Sequence, residues 1–218
     1  FTIPIAWMLW LTMVELGKLN AATTIEEKGT TYLRPLVRLV GVIRAHQLYA
    51  HQVLNGKTDL EGKRAVAESD VDEQVRRLTD ADRRVGAALQ FTEEGLAARK
   101  REGSSAQAVQ QSWDRLKRSR AGQTAQASDQ EHEALVLIVM SMIRHAYDTS
   151  GLVVDPDADI FYLGFVMSAQ IPMVEKDMWA AIIIGTSSLE SKTPSLSDRI
   201  KLAEFRALTK LNRDLAVL

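Results

Sequence analysis

Apolar residues recur at steps of three and four along most of the chain, the spacing that gathers them on one face of an α-helix. From Thr24 to Leu54 the series is Leu33, Leu36, Val37, Val40, Ile43 and Leu48. Pro35 lies inside it, and because proline supplies no N–H to the helical ladder, a kink or the start of a second segment is expected there. Asn55-Gly56 provides a stop. From Val71 to Leu96 the steps of four and three alternate through Val71, Val75, Leu78, Asp82, Val85, Leu89, Thr92 and Leu96. That is a heptad seam with two polar interruptions, and it predicts one long exposed helix pairing along a narrow stripe. Ser69 or Asp70 is placed to cap it, and Gly103 to Ser105 break it.

A shorter amphipathic segment surrounds Trp113 and Leu116. The tract RSRAGQTAQASDQ after it is small, polar and aperiodic, hence a loop. Ser128 or Asp129 is the expected cap of the next helix, with the face Leu135, Ile138, Val139, Met142, Ile143, Ala146 and Tyr147, ending at Ser150-Gly151. A further helix is expected from Asp157 or Asp159 through Ile160 to about Thr186, bent at Pro172. Its apolar runs are interrupted by Glu175, Lys176 and Asp177, which argues for burial in protein and against a membrane span. Ser197 opens a last helix with Ile200, Leu202, Phe205, Leu208, Leu211 and Leu215 on one face.

The start of the chain differs from all of these. Phe1 to Val14 carries no charge before Glu15 and contains Trp7 and Trp10. A spanning helix needs roughly 20 apolar residues, so this run is too short alone and reads as the outer part of a span.

Composition narrows the function. The 27 basic and 28 acidic groups give a formal charge of −1, so no general electrostatic attraction to nucleic acid is expected. Cysteine is absent, which removes disulfides, thiolate metal sites and a Cys nucleophile. No phosphate-cradling glycine loop, Gly-x-Ser-x-Gly elbow or HExxH pair occurs, so no catalytic residues are assigned and an enzyme is not expected. Asp155-Pro156-Asp157-Ala158-Asp159 begins like a calcium loop, but Ile160 and Val166 stand where a glycine and a glutamate belong, so the acids are read as a helix cap. His46 and His51 are five apart and do not share a face, and Asp129 with His132 is one pair where a di-iron site needs a set. No metal or cofactor is therefore assigned.

The candidate site is basic. Arg34 and Arg38 stand at i and i+4, and a guanidinium grips a carboxylate through two parallel hydrogen bonds. Together with Arg44, His46 and His51 they crowd one helix, and Arg38, Arg44 and His46 are taken as the ligand-binding set for a small organic anion held between helices.

Two segments, Glu26 to Gly56 and Ser141 to Met178, resemble the periplasmic region of bacterial transducers, the methyl-accepting chemotaxis receptors and related sensor kinases or cyclases. The matching residues are Lys28, Gly29, Tyr32, Leu33, Pro35 and Leu36, then Asp148, Ser150, Leu152, Asp155, Pro156, Asp157, Tyr162, Leu163 and Pro172. Gln47 stands where such receptors carry an arginine after the helix histidine, and Ile160-Phe161 where they carry Ser-Tyr, so their ligand is not carried over.

Periodicity and resemblance together imply an all-α, elongated antiparallel bundle of four-helix type with about five to six helices. Residues 1–19 are expected to be the outer part of an N-terminal transmembrane helix, and 20–218 an extracytoplasmic sensor domain facing the periplasm from the inner membrane. The resemblance implies a sensor that binds a small molecule, pairs as a homodimer and passes a helix-packing change to a cytoplasmic output. The alternative is a soluble helical scaffold or protein-interaction module whose apolar start binds a partner.

Overall fold

The computed structural model describes residues 2–119, 122–152, 171–190 and 195–215. Among them every regular element is helical and no strand occurs. Helix α1 (Thr2–Leu54) is a single element that runs through Pro35, so the expected second segment is not a separate helix. It ends as the Asn-Gly pair predicts. Lys57 N–H donates to the Gln52 carbonyl and Gly56 N–H to that of Val53, both at 3.0 Å, with Gly56 at φ +99°. This reciprocal closure needs a left-handed residue, which glycine adopts without steric cost.

After a short 3-10 turn (Thr58–Leu60) comes α2 (Glu61–Ala81). The heptad pattern predicts one helix continuing to Leu96, whereas the structure keeps α-type hydrogen bonding only to Ala81 and a helical path only to Leu89. A π-turn follows over Asp82–Gly86, then a 3-10 turn over Ala87–Leu89 that ends on left-handed Gln90. Asp82 is the polar interruption of the seam, and its carboxylate accepts a 2.7 Å hydrogen bond from the Tyr32 hydroxyl. Tyr32 also stacks on Phe91, with ring centroids 4.2 Å apart. These contacts hold the end of the seam against α1. Val71, Val75, Leu78, Leu89 and Leu96 are all buried within this one chain, so the stripe is internal core.

The short α3 (Glu93–Ala98) is capped by Thr92, whose hydroxyl accepts from Gly95 N–H at 3.1 Å. In α4 (Ala106–Ser119) the buried face is Ala106, Val109, Trp113 and Leu116. Helix α5 (Ala125–Ser150) starts earlier than the pattern suggests. Its cap is Thr124, which accepts from Ala127 N–H, and Ser128 and Asp129 lie inside the helix. Helix α6 (Ile171–Glu190) follows the undescribed stretch 153–170, so the start expected near Asp157 and the acidic Asp155–Asp159 turn lie outside the described residues. Helix α7 (Leu196–Leu215) is capped at Ser195, two residues before the expected Ser197. Ser195 and Asp198 exchange hydrogen bonds between side chain and backbone, a capping box.

Helix α1 packs on both α2 and α5, and α4 closes against α2 and α5, which makes a four-helix bundle; α6 pairs with α7. Tyr32, Leu36, Leu39 and Ile43 of α1 meet Val75 and Leu78 of α2, Trp113 of α4 and Leu135, Val139 and Met142 of α5 in one continuous core. At Gly29 α1 lies so close to the end of α5 that a Cβ would run into the Ser150 side chain. By contrast, Trp7, Met8, Leu9, Trp10 and Met13 near the start of α1 remain exposed. No helix among the described residues is long and apolar enough to cross a membrane.

Candidate functional site: a basic cleft and a buried polar chain

A cleft of about 920 Å³ lies between α1, α2 and the end of α5. Its charged lining comprises Arg34 and Arg38 from α1, Arg77 and Asp80 from α2, and Arg84 from the π-turn. Arg77 is held by Glu73 at 2.7 Å, and Arg84 Nε donates to the Asp80 carbonyl at 3.2 Å. Arg34 and Arg38 are exposed, and neither has an ion-pair partner among the described residues. Leu33, Pro35, Val37, Tyr147 and Leu152 supply an apolar wall. Gln74 lines the same cleft and is largely buried, and its side-chain carbonyl has no hydrogen-bond partner.

The three residues proposed as one ligand set do not meet. Arg38 lines the cleft, whereas Arg44 and His46 are buried in the bundle interior. The helical turn explains the separation: at about 100° per residue, Arg44 lies roughly 120° around α1 from Arg38, and His46 about 80° in the other sense. Arg44 Nη1 donates to Gln47 Oε1 at 2.8 Å and pairs with Glu133 at 2.7 Å, while its Nε and Nη2 have no partner.

His46 belongs to a chain of polar groups that crosses three helices. Its Nδ1 is 2.8 Å from His132 Nε2, and its Nε2 is 3.4 Å from Arg64 Nη1. His132 Nδ1 lies 2.7 Å from the Ser128 carbonyl. A carbonyl only accepts, so His132 carries its proton on Nδ1 and its Nε2 must accept from His46 Nδ1–H. His46 Nε2 then accepts from Arg64, which only donates. Arg64 in turn is held by Glu61 at 2.8 Å and by Glu68, and its pKa is raised chiefly by the hydrogen bond to Glu61. Trp113 meets the His46 ring edge-on at 5.0 Å and donates through Nε1 to Asp72 at 2.7 Å.

The remaining histidines are engaged as well. His51 contacts Asp129 at 2.7 Å, so that acid pairs across to α1 and not with His132 three residues on. His145 Nε2 donates to the Leu89 and Gln90 carbonyls, both at 3.1 Å, and burial pushes its pKa down. Among the described residues no group of three or more His, Asp or Glu is arranged to hold a metal ion.

Sequence reasoning had paired Arg34 with Arg38 but missed Arg77, Arg84 and Gln74. The seven-residue spacing of Arg77 and Arg84 places them on one helix face, which is a visible signal. That this face opposes Arg34 and Arg38 follows only from the way α2 packs on α1.

Comparison with protein-family models, with curated proteins and with solved structures finds no match for the chain.

Proposed function

We propose that the chain is the ligand-sensing, periplasmic part of a bacterial inner-membrane signal transducer and not an enzyme. The observation that carries this reading is the basic cleft on α1, since the same unbroken helix runs from that cleft to a surface-exposed apolar segment bearing Trp7 and Trp10. Tryptophans are favoured where an apolar surface meets water, as at a membrane interface. A small molecule between α1 and α2 changes their packing preference, and a rigid helix carries that change along its length. Coupling free energies of about 1–3 kcal/mol are enough for such a bias. The motif residues Gly29, Tyr32 and Pro35 are consistent with this reading, since Gly29 and Tyr32 fix how α1 meets α5 and the π-turn. Homodimerisation and the type of cytoplasmic output belong to the same proposal.

The test is co-sedimentation of the chain with vesicles of anionic phospholipid, with and without Trp7→Asp/Trp10→Asp. Binding that the double substitution abolishes supports an anchored sensor. A chain that stays soluble without detergent and ignores vesicles supports a scaffold whose apolar segment binds another protein.

A further inference from the structure

We infer that the cleft takes an organic acid with an apolar, ring-sized body and one hydrogen-bond donor; this rests on the sensor reading and gives it a ligand class. Three features of the cleft carry the inference. The first is charge. Four arginines face one aspartate, and Arg34 and Arg38, at i and i+4 on one face of α1, have no counter-ion among the described residues. Two parallel guanidinium donors match a carboxylate, and a group already paired, such as Arg77 with Glu73, is less available to it.

The second is the wall. Leu33, Pro35 and Val37 from α1 and Tyr147 and Leu152 from the α5 end line the same space. A purely inorganic anion would leave that apolar lining wet, whereas an apolar ligand body removes it from water, and ligand sites usually combine such walls with a few polar groups.

The third is Gln74. Gln74 lines the cleft, and its side-chain carbonyl, buried just behind that lining, accepts no hydrogen bond. A buried acceptor left open is costly, and a ligand hydroxyl or N–H relieves it. Discrimination against a ligand lacking that donor is the consequence.

The probes are 3-(4-hydroxyphenyl)propionate, 3-phenylpropionate, the neutral alcohol 3-(4-hydroxyphenyl)propanol, and inorganic phosphate, titrated calorimetrically into the full chain in detergent. The hydroxylated acid is expected to bind best, the acid without hydroxyl about tenfold more weakly, and the alcohol and phosphate at least a hundredfold more weakly. Arg34→Gln/Arg38→Gln, at exposed positions that leave the core intact, should weaken the acid at least tenfold, with the helical circular dichroism unchanged. Gln74→Leu should erase the difference between the two acids. Equal binding of phosphate, an unaffected double variant, or no binding of either acid at millimolar concentration overturns the ligand class. None of these outcomes touches vesicle binding, so failure of the ligand class and failure of the sensor reading are read separately.

Discussion

His46 and His132, 86 residues apart in sequence, face each other nitrogen to nitrogen at 2.8 Å in the bundle interior, and a run of donors in a single direction orients both. Arg64 donates to His46, His46 to His132, and His132 to the Ser128 carbonyl. A further proton on His132 Nε2 would oppose N–H to N–H, and one on His46 Nε2 would face the Arg64 guanidinium, although Glu68 stands 3.9 Å from that nitrogen. The neutral pair is therefore the one the surroundings fit.

Stability should fall with acid in a window that His132 defines. Burial pushes the His132 pKa from 6.5 down to about 4, with Arg44 adding to the effect and Ser128, Asp129 and Glu131 opposing it. A depressed histidine pKa means the unfolded chain takes up the proton first. The stabilisation is complete above pH 6.5 and is lost as pH falls toward 4, at no more than about 1.4 kcal/mol per pH unit for each such histidine. Urea midpoints measured between pH 7.5 and 4.5 check this, and His132→Gln should flatten the slope. A midpoint independent of pH in the wild type would contradict the neutral pair.

Arg44 and Arg38 should behave oppositely. Arg44 is buried with two of its three guanidinium nitrogens unpartnered, and its carboxylate partner Glu133 is part-exposed and returns to water if the cation is removed. Arg44→Met should therefore cost only about 1–2 kcal/mol, chiefly for the buried Gln47 carbonyl that loses its donor, since replacement of a buried pair by an apolar group is often neutral or stabilising. Acid affinity should be unchanged by it, whereas Arg38→Gln should lower affinity without altering the melting temperature. A loss of more than about 3 kcal/mol in Arg44→Met would mean that the guanidinium holds the bundle together.

Gly29→Ala should destabilise, against the intrinsic preference of a helix interior, where alanine is favoured over glycine by about 1 kcal/mol. The new Cβ would fall well inside contact distance of the Ser150 side chain. Overpacking typically costs about 1–3 kcal/mol, so the sign of the change in a thermal melt decides whether α1 and α5 cross there.

Trp113 joins the core to the polar chain through its ring and its N–H. Trp113→Phe should retain most of the packing and lose roughly 1–2 kcal/mol with the bond to Asp72. Trp113→Ala should cost about 3–5 kcal/mol through the cavity it leaves. Denaturant titrations of the two variants separate these contributions.

The helical class, the Asn55-Gly56 stop and the inward faces of α1, apart from exposed Val37, and of α5 were legible in the sequence, because period, glycine and apolar spacing are local properties. The end of α2 was not. Asp82 keeps the heptad spacing intact on paper, and its partner, the Tyr32 hydroxyl, lies 50 residues earlier; the chain leaves the helical path only at left-handed Gln90. The caps at Thr124 and Ser195 were displaced for a similar reason, since several hydroxyls and acids near each start compete and the backbone path selects one. As for the site, Arg34 and Arg38 were visible as an i, i+4 pair. Grouping Arg38 with Arg44 and His46 ignored the helix phase, which sends the latter two inward.

The most direct test of the sensor account is the distance between α1 and α2 with and without ligand. The chain has no cysteine, so spin labels can be attached at Ala22→Cys and Asp70→Cys, both exposed positions, without background. Pulsed dipolar spectra of this double variant, with the cleft saturated by 3-(4-hydroxyphenyl)propionate as verified by calorimetry, should show the distance peak shifted on the order of 1–2 Å, the scale of helix shifts in switching proteins. The shift should vanish in the added Arg34→Gln/Arg38→Gln background. A saturated cleft with an unchanged distance distribution would contradict the claim that this site passes a signal through α1.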